Sequence, residues 1–163
     1  MPPQKPAAAT PSKINTIEVK VKHPELIELT NDGRIRLNFH PGQWRAWESR
    51  KRFIAITAGA QSGKTSFIPL WLYREIQQCG PGDYMIVTPT FTLLEKKALP
   101  EFLNYFSKIL KLGKYVGGSQ RTFTFSEEGV IRTFGNKSAI PTHVRFGYAA
   151  DSDSLESMTA KAA

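Results

Sequence analysis

The chain has one cysteine, Cys79, in 163 residues. That excludes an internal disulfide and fits a reducing compartment. Long apolar runs are also missing. No stretch approaches the ~20 residues that span a bilayer, so no membrane partner is expected. The N-terminus has neither the basic start nor the apolar run of a secretory signal. The three histidines, His23, His40 and His143, are scattered without metal-ligand spacing. There is no internal repeat and no heptad pattern. Acidic residues are in the minority, 14 against 22 basic ones, for a net charge of +8. That balance favours a polyanionic partner, nucleic acid first, against the alternative of an ordinary basic surface.

What is present is ordinary for a globular protein: 40% apolar and 22% charged residues, in a length suited to one domain with a sizeable core. Residues 1–16, rich in Pro, Ala and small polar side chains, read as a flexible leader. The remainder, 17–163, reads as one domain. The alternating runs "IEVKVK" (17–22) and "RIRLNF" (34–39) predict strands. "HPGQWRAWESRKR" (40–52) predicts a short helix. "FIAITA" (53–58), apolar on both faces, predicts a strand at the centre of a parallel sheet. A helix is expected over 63–78, with Ile68, Leu72 and Ile76 on one face, widened by Phe67, Leu70 and Trp71, and a kink at Pro69. A buried strand follows at 84–88. A helix is expected over 89–113, restarting at Pro100. A hairpin is expected over 121–134 around Glu127 and Glu128, read as solvated turn residues. A strand is expected at 143–149, then a helix from Asp153 or Ser154. The order strand, loop, helix, strand, helix gives an α/β fold with a parallel core sheet and an antiparallel hairpin insertion.

The chemistry centres on residues 58–65, A-G-A-Q-S-G-K-T. A phosphate-binding loop runs Gly, four residues, then Gly-Lys-Ser/Thr. Ala58 replaces the first Gly, and the adjacent Gly59 can absorb an unusual φ. Gly59, Ala60, Gln61, Ser62 and Gly63 would turn backbone N–H groups toward phosphate oxygens at a helix N-terminus. Lys64 would reach the β- and γ-phosphates, and Thr65 would offer its hydroxyl to Mg²⁺. The competing reading is a Gly-rich strand–helix turn with an exposed lysine. Gln43 lies upstream. Its amide can pair with N6 and N7 of adenine, which would select ATP; otherwise it is a surface residue of the turn after His40-Pro41-Gly42.

"HPGQWRAWESRKRFIAITAGAQSGKTSF", "GPGDYMIVTPTFTLLEKKALPEF" and "VRFGYAADSDSLESMTAKAA" together resemble the large terminase subunit of tailed bacteriophages, over about residues 36 to 163. The resemblance implies a P-loop NTPase of the additional-strand, catalytic-glutamate (RecA-like) class. It implies an ATP-driven motor that packages double-stranded DNA, acting as a homo-oligomer on the portal protein with a small terminase subunit, in the cytoplasm of an infected bacterial host. It further implies a C-terminal nuclease domain. Gln43 matches the family's adenine contact, 59–64 the phosphate cradle and Thr65 the Mg²⁺ ligand. Ala60 and Gln61 stand where some members carry an arginine. Thr88-Pro89-Thr90 matches a segment near the DNA or coupling face; Thr90 reads equally as a helix cap.

Hydrolysis also needs carboxylates, usually an apolar run ending in Asp-Glu. No strand here ends so. By resemblance that strand, called Walker B, would follow Ala163, which makes this chain an incomplete ATPase domain expected to bind nucleotide without turnover. Its isolated phosphate-loop strand would carry an unpaired apolar edge and promote self-association. Lys108, Lys111, Lys114 and Arg121 form a basic cluster that could track DNA phosphates or simply complement a helix dipole. Arg34, Arg36, Arg50, Lys51 and Arg52 form a second. Two further classes of function compete: a superfamily-two helicase, and a non-catalytic nucleic-acid-binding module.

Overall fold

The computed structural model describes residues 26–31, 35–60, 62–150 and 160–162. The expected leader, the strand at 17–22, the helix from Asp153 or Ser154, and Gln61 lie outside the described residues. The chain divides into two compact units, Met1–Asn38 and Phe39–Ala163. In the first, β1 (Ile27–Leu29) pairs antiparallel with β2 (Ile35–Leu37), with Ile27 opposite Leu37. β2 lies within the strand expected at 34–39. β1 went unread because three residues are too few to show alternation.

The second unit holds α1 (Pro41–Glu48), α2 (Lys64–Cys79), β3 (Asp83–Thr88), a helical run α3 over residues 91–109, β4 (Gly113–Val116), β5 (Thr122–Phe125), α4 (Glu127–Phe134) and β6 (His143–Tyr148). Its sheet has the order β3-β6-β5-β4. β3 and β6 run parallel; β5 is antiparallel to both β6 and β4. The fold is therefore α/β with a mixed sheet.

α3 covers one face of this sheet. Phe102 and Phe106 stack with centroids 4.0 Å apart, and Phe102 meets Phe123 and Phe146 edge-on at 5.2 and 4.9 Å. All four rings are fully buried. Period-2 alternation sets the pattern: Val144 and Phe146 of β6 point to the helix, while His143 and Arg145 point away and are half-buried. α3 winds as π-helix at Leu94–Ala98 and Asn104–Ile109, on either side of an α-helical turn, Leu99–Leu103, that begins just before Pro100. Thr90 caps the run, its Oγ1 accepting from Leu93 N–H at 3.3 Å, so the cap reading of Thr90 holds.

Three expectations are corrected. First, residues 53–58 form no strand. β3 is flanked on one side by β6. On its other side Lys161 N–H donates to Asp83 O at 2.8 Å and Met85 N–H to Ala162 O at 3.0 Å. β3 therefore offers 53–58 no free edge at that end, and these residues stay outside the sheet, with Phe53 84% exposed.

Second, residues 127–134 are helix rather than the second arm of a hairpin. Ser126 Oγ accepts from Gly129 N–H at 3.1 Å, Glu127 and Glu128 favour the helix N-terminus, and Gly135 ends the helix at φ +79. The antiparallel hairpin is instead β4 with β5, built from the segment read as a basic, Gly-rich loop. α4 passes so close to the chain that a Cβ on Gly129 would sit 1.8 Å from Leu112 O.

Third, Ile68, expected on the buried face of α2, is exposed, while Phe67, Leu70, Leu72 and Ile76 are buried. The rest of the buried stripe falls on the expected face, where Leu72 and Ile76 are joined by Phe67 and Leu70.

Candidate functional site

The 58–65 loop sits where α1 packs on α2. Phe39 is the pivot. Its ring meets Trp44, Trp47 and Phe67 edge-on, each at 5.2 Å. This aromatic joint fixes the start of α1 against the start of α2. α1 opens with a reciprocal cap: Gly42 N–H donates to His40 Nδ1 at 3.0 Å, and His40 N–H donates to Gln43 Oε1 at 3.1 Å. The cap holds Gln43 buried. A Cβ placed on Gly63 would lie 3.1 Å from Gln43 Nε2. The two residues that sequence spacing joined only by motif are thus neighbours in space.

Gly63 adopts φ +75, a conformation that glycine takes at little cost. It precedes α2 and brings no side chain to cap it. The first N–H groups of α2 therefore carry the helix's partial positive charge without a side-chain acceptor from the cap position. Lys64 folds back over the loop. Its ammonium donates to Ala58 O at 2.6 Å, Gly59 O at 2.8 Å and Ser62 Oγ at 3.1 Å. The three oxygens gather around one cation, and the lysine closes the loop into a ring. Thr65, one residue on, is exposed.

A cleft of about 510 Å³ opens beside this loop, lined by Gln43, Phe53, Ile56, Ala58, Ser62 and Lys64 among others. That volume suits a mononucleotide-sized ligand. On the far side of Phe53 lies a larger cavity of about 1060 Å³, lined in part by Arg50, Arg52, Trp71, Arg74 and Lys161. Arg52 stacks over the Phe53 ring at 5.3 Å. Phe53 borders both hollows, and residues 54–57 line the smaller one.

The predicted basic cluster does not stay together. Lys108 and Lys111 lie at the end of α3, and Lys114 pairs opposite Thr124, near the end of the β4–β5 hairpin away from its turn. Arg121 lies at the turn end, next to the Val116–Thr122 pair. Lys108, Lys111 and Lys114 are exposed. Sequence reasoning missed what Arg121 does meet: its guanidinium lies 5.1 Å from the ring centroids of both Phe91 and Tyr148. Nothing in the local sequence joins residues 91, 121 and 148; only the topology does.

Glu127 is not a turn residue but the first residue of α4, paired with Lys137. The hydrogen bond and positive charge of Lys137 hold its carboxyl below the ordinary range. Among the described residues, no group of three or more His, Cys, Asp or Glu side chains is placed to hold a metal ion. No helix among them is long and apolar enough to cross a membrane. No family model, curated protein or solved structure matches this chain.

Proposed function

We propose that the protein binds the phosphates of ATP on the 58–65 loop and is the nucleotide-binding part of a DNA-packaging motor subunit of the large-terminase kind. One observation carries the nucleotide reading: Gly63, in a left-handed turn at the head of α2, has the Lys64 ammonium folded across its loop and the Gln43 amide against it. A Gly-rich turn with a lysine would satisfy the motif by chance. It would not also bring a buried Gln from a separate helix to the same turn.

The residues fit the group. The loop N–H groups and the start of α2 would face phosphate oxygens, and Lys64 would exchange loop oxygens for phosphate ones. Gln43 would present its amide to the base edge, and Thr65 its hydroxyl to Mg²⁺. The bound Mg·ATP would supply the chemical energy that a motor spends. The residues of this chain bind and orient it. Duplex DNA, a portal and a small terminase subunit are the partners this reading proposes.

The test is equilibrium binding of Mg·ATP. Lys64→Ala should weaken it about tenfold or more, as loss of a charge-assisted phosphate contact does. Gln43→Ala should reduce the preference for ATP over GTP. Equal ATP affinity in Lys64→Ala and the parent protein would overturn the proposal.

A further inference from the structure

We infer that the larger cavity, about 1060 Å³ between the end of α1 and the second half of α2, is a binding site for single-stranded nucleic acid. The inference goes beyond the nucleotide reading and stands without it.

Three stretches of chain wall this cavity: residues 47–53, parts of α2 from Trp71 to Cys79, and residues 160–162. Five basic side chains line it, Arg50, Lys51, Arg52, Arg74 and Lys161, against two acidic ones, Glu48 and Glu75. The local sequence sets the first three together. α1 stops at Glu48, and Ser49 turns the chain, its Oγ accepting from Lys51 N–H at 3.3 Å. The next residues are left in the open.

The cations differ in what they already hold. Arg74 pairs with Glu75 at 3.0 Å and lies over the Trp47 ring at 5.6 Å. The Lys161 ammonium donates to Cys79 O at 3.1 Å and Pro81 O at 2.6 Å. Arg50, Lys51 and Arg52 are exposed and have no carboxylate partner among the described residues. Three successive cations without counter-charge attract a polyanion.

The two tryptophans differ in the same way. Trp47 is taken up by Arg74 and, edge-on, by Phe39 at 5.2 Å. Trp71 is half-buried, and among the described residues its ring meets no other ring and no cation. Its buried indole N–H also lacks an acceptor there, so no polar partner fixes the ring. Free charge therefore lies at the exposed rim, and a free aromatic ring lies deeper.

That order suits one class of ligand. A single strand carries phosphates along one side and can turn its bases to the other. Its phosphates would follow the rim while a base enters and stacks on Trp71. A duplex keeps its bases paired and stacked inside, and offers the rim phosphates alone. An acidic peptide would match the cations but not the ring. The cavity has about twice the 510 Å³ of the Lys64 cleft, which leaves room for more than one nucleotide of strand.

The experiment is fluorescence anisotropy on the full chain, across a salt series. The probes are a labelled oligothymidylate of about ten nucleotides, a duplex of the same length and a polyglutamate peptide. The parent protein should bind the single strand more tightly than either of the others. Changing Arg50→Ala and Lys51→Ala together should weaken strand binding about tenfold at low salt. It should lower the salt slope by about 1.4, at roughly 0.7 per phosphate contact. Both residues are exposed and outside the Lys64 cleft, so unfolding midpoint and Mg·ATP affinity should match the parent. Trp71→Leu should weaken strand binding about tenfold, as loss of one stacked base does. Trp71→Phe should restore most of that affinity and remove most of the tryptophan quenching seen when the strand binds. A duplex bound as tightly as the single strand would overturn the inference. So would full strand affinity in the Arg50 and Lys51 double variant, which keeps its fold. Preferential binding of polyglutamate would also overturn it and assign the cavity to an acidic protein. If Lys64→Ala leaves Mg·ATP binding intact while the double variant loses the strand, the nucleotide proposal fails and this site stands.

Discussion

Two regions of the second unit contrast sharply. The β3–β6–β5–β4 sheet with α3 is closed: every strand has a partner and one face is sealed by a cluster of phenylalanines. The stretch from Arg52 to Thr57 is open. Among the described residues its backbone groups have no hydrogen-bond partner, and Phe53 and Ile56 face solvent. The open region nevertheless leads straight into the loop with the clearest chemical signature. The lesson is that the two regions are held by different forces. The sheet rests on burial. The loop itself rests on local devices, a left-handed glycine, a lysine folded onto its own loop and a capping box, set on the aromatic joint around Phe39.

The largest test strikes the closed region. Phe102 is fully buried and touches Phe106, Phe123 and Phe146. Phe102→Ala should destabilise the protein by about 3–5 kcal/mol, read from urea unfolding. The Lys64 loop should keep its nucleotide affinity wherever the protein remains folded. Loss of binding in step with partial loss of structure would show that the two regions are one cooperative unit, and the contrast would dissolve.

Next is the joint that holds the loop. Gln43 is buried and its Oε1 accepts the His40 N–H. Gln43→Ala removes that acceptor and leaves a gap beside Gly63. A cost of about 1–2 kcal/mol is expected from the lost cap. If stability is unchanged, the capping box is decorative and Gln43 is held in place by something else.

Ser126 offers a smaller test of the correction to 127–134. Ser126→Ala should cost about 1 kcal/mol, the usual loss for a serine N-cap. A hairpin turn would show almost none. The misreading has a physical source. "VIRTF" alternates well enough for a strand, but its Val130 and Thr133 also fall three apart on one helix face. Periodicity over five residues cannot separate the two, and the Ser126 cap and Gly135 stop were the signals that decided it.

Other parts were legible for related reasons. α2 and β3 were read within about one residue because loop, helix and turn each carry their own punctuation: Gly63 before, Gly80 after. α1 was readable from Trp44 and Trp47 three apart, though the helix stops at Glu48 within the expected run of 40–52. What could not be read was partnership. Residues 53–58 have the composition of a buried strand, yet composition cannot say which neighbour will pair with it. The joining of Phe91, Arg121 and Tyr148 was equally hidden, because three elements converge there.

A finer effect concerns pH. Glu127 is solvent-exposed and paired with Lys137, which holds its carboxyl below the ordinary value. A depressed folded-state pKa contributes stability above the unfolded carboxylate pKa. That contribution is lost as pH falls through the lower folded value. Lys137→Ala should therefore slightly lower the unfolding midpoint at neutral pH and leave it unchanged in strong acid, with salt reducing the difference.

The smallest expected change in stability falls on the open region. Phe53→Ser alters a side chain that is 84% exposed and stacked only on Arg52. Its effect on urea unfolding should lie within about 0.5 kcal/mol, as at most surface sites. A buried central strand would instead lose about 3 kcal/mol or more from such a change. The same substitution should act elsewhere. An exposed phenylalanine followed by Ile56, on a backbone with unused hydrogen-bonding groups, is a template for association. Sedimentation of the parent protein should therefore show concentration-dependent self-association that Phe53→Ser reduces, and amides 53–57 should exchange with solvent far faster than those of Phe123 and Val144. A parent protein that stays monomeric at every concentration, with slow exchange at 53–57, would mean that this segment finds a partner in solution after all. The contrast between closed sheet and open loop would then be withdrawn.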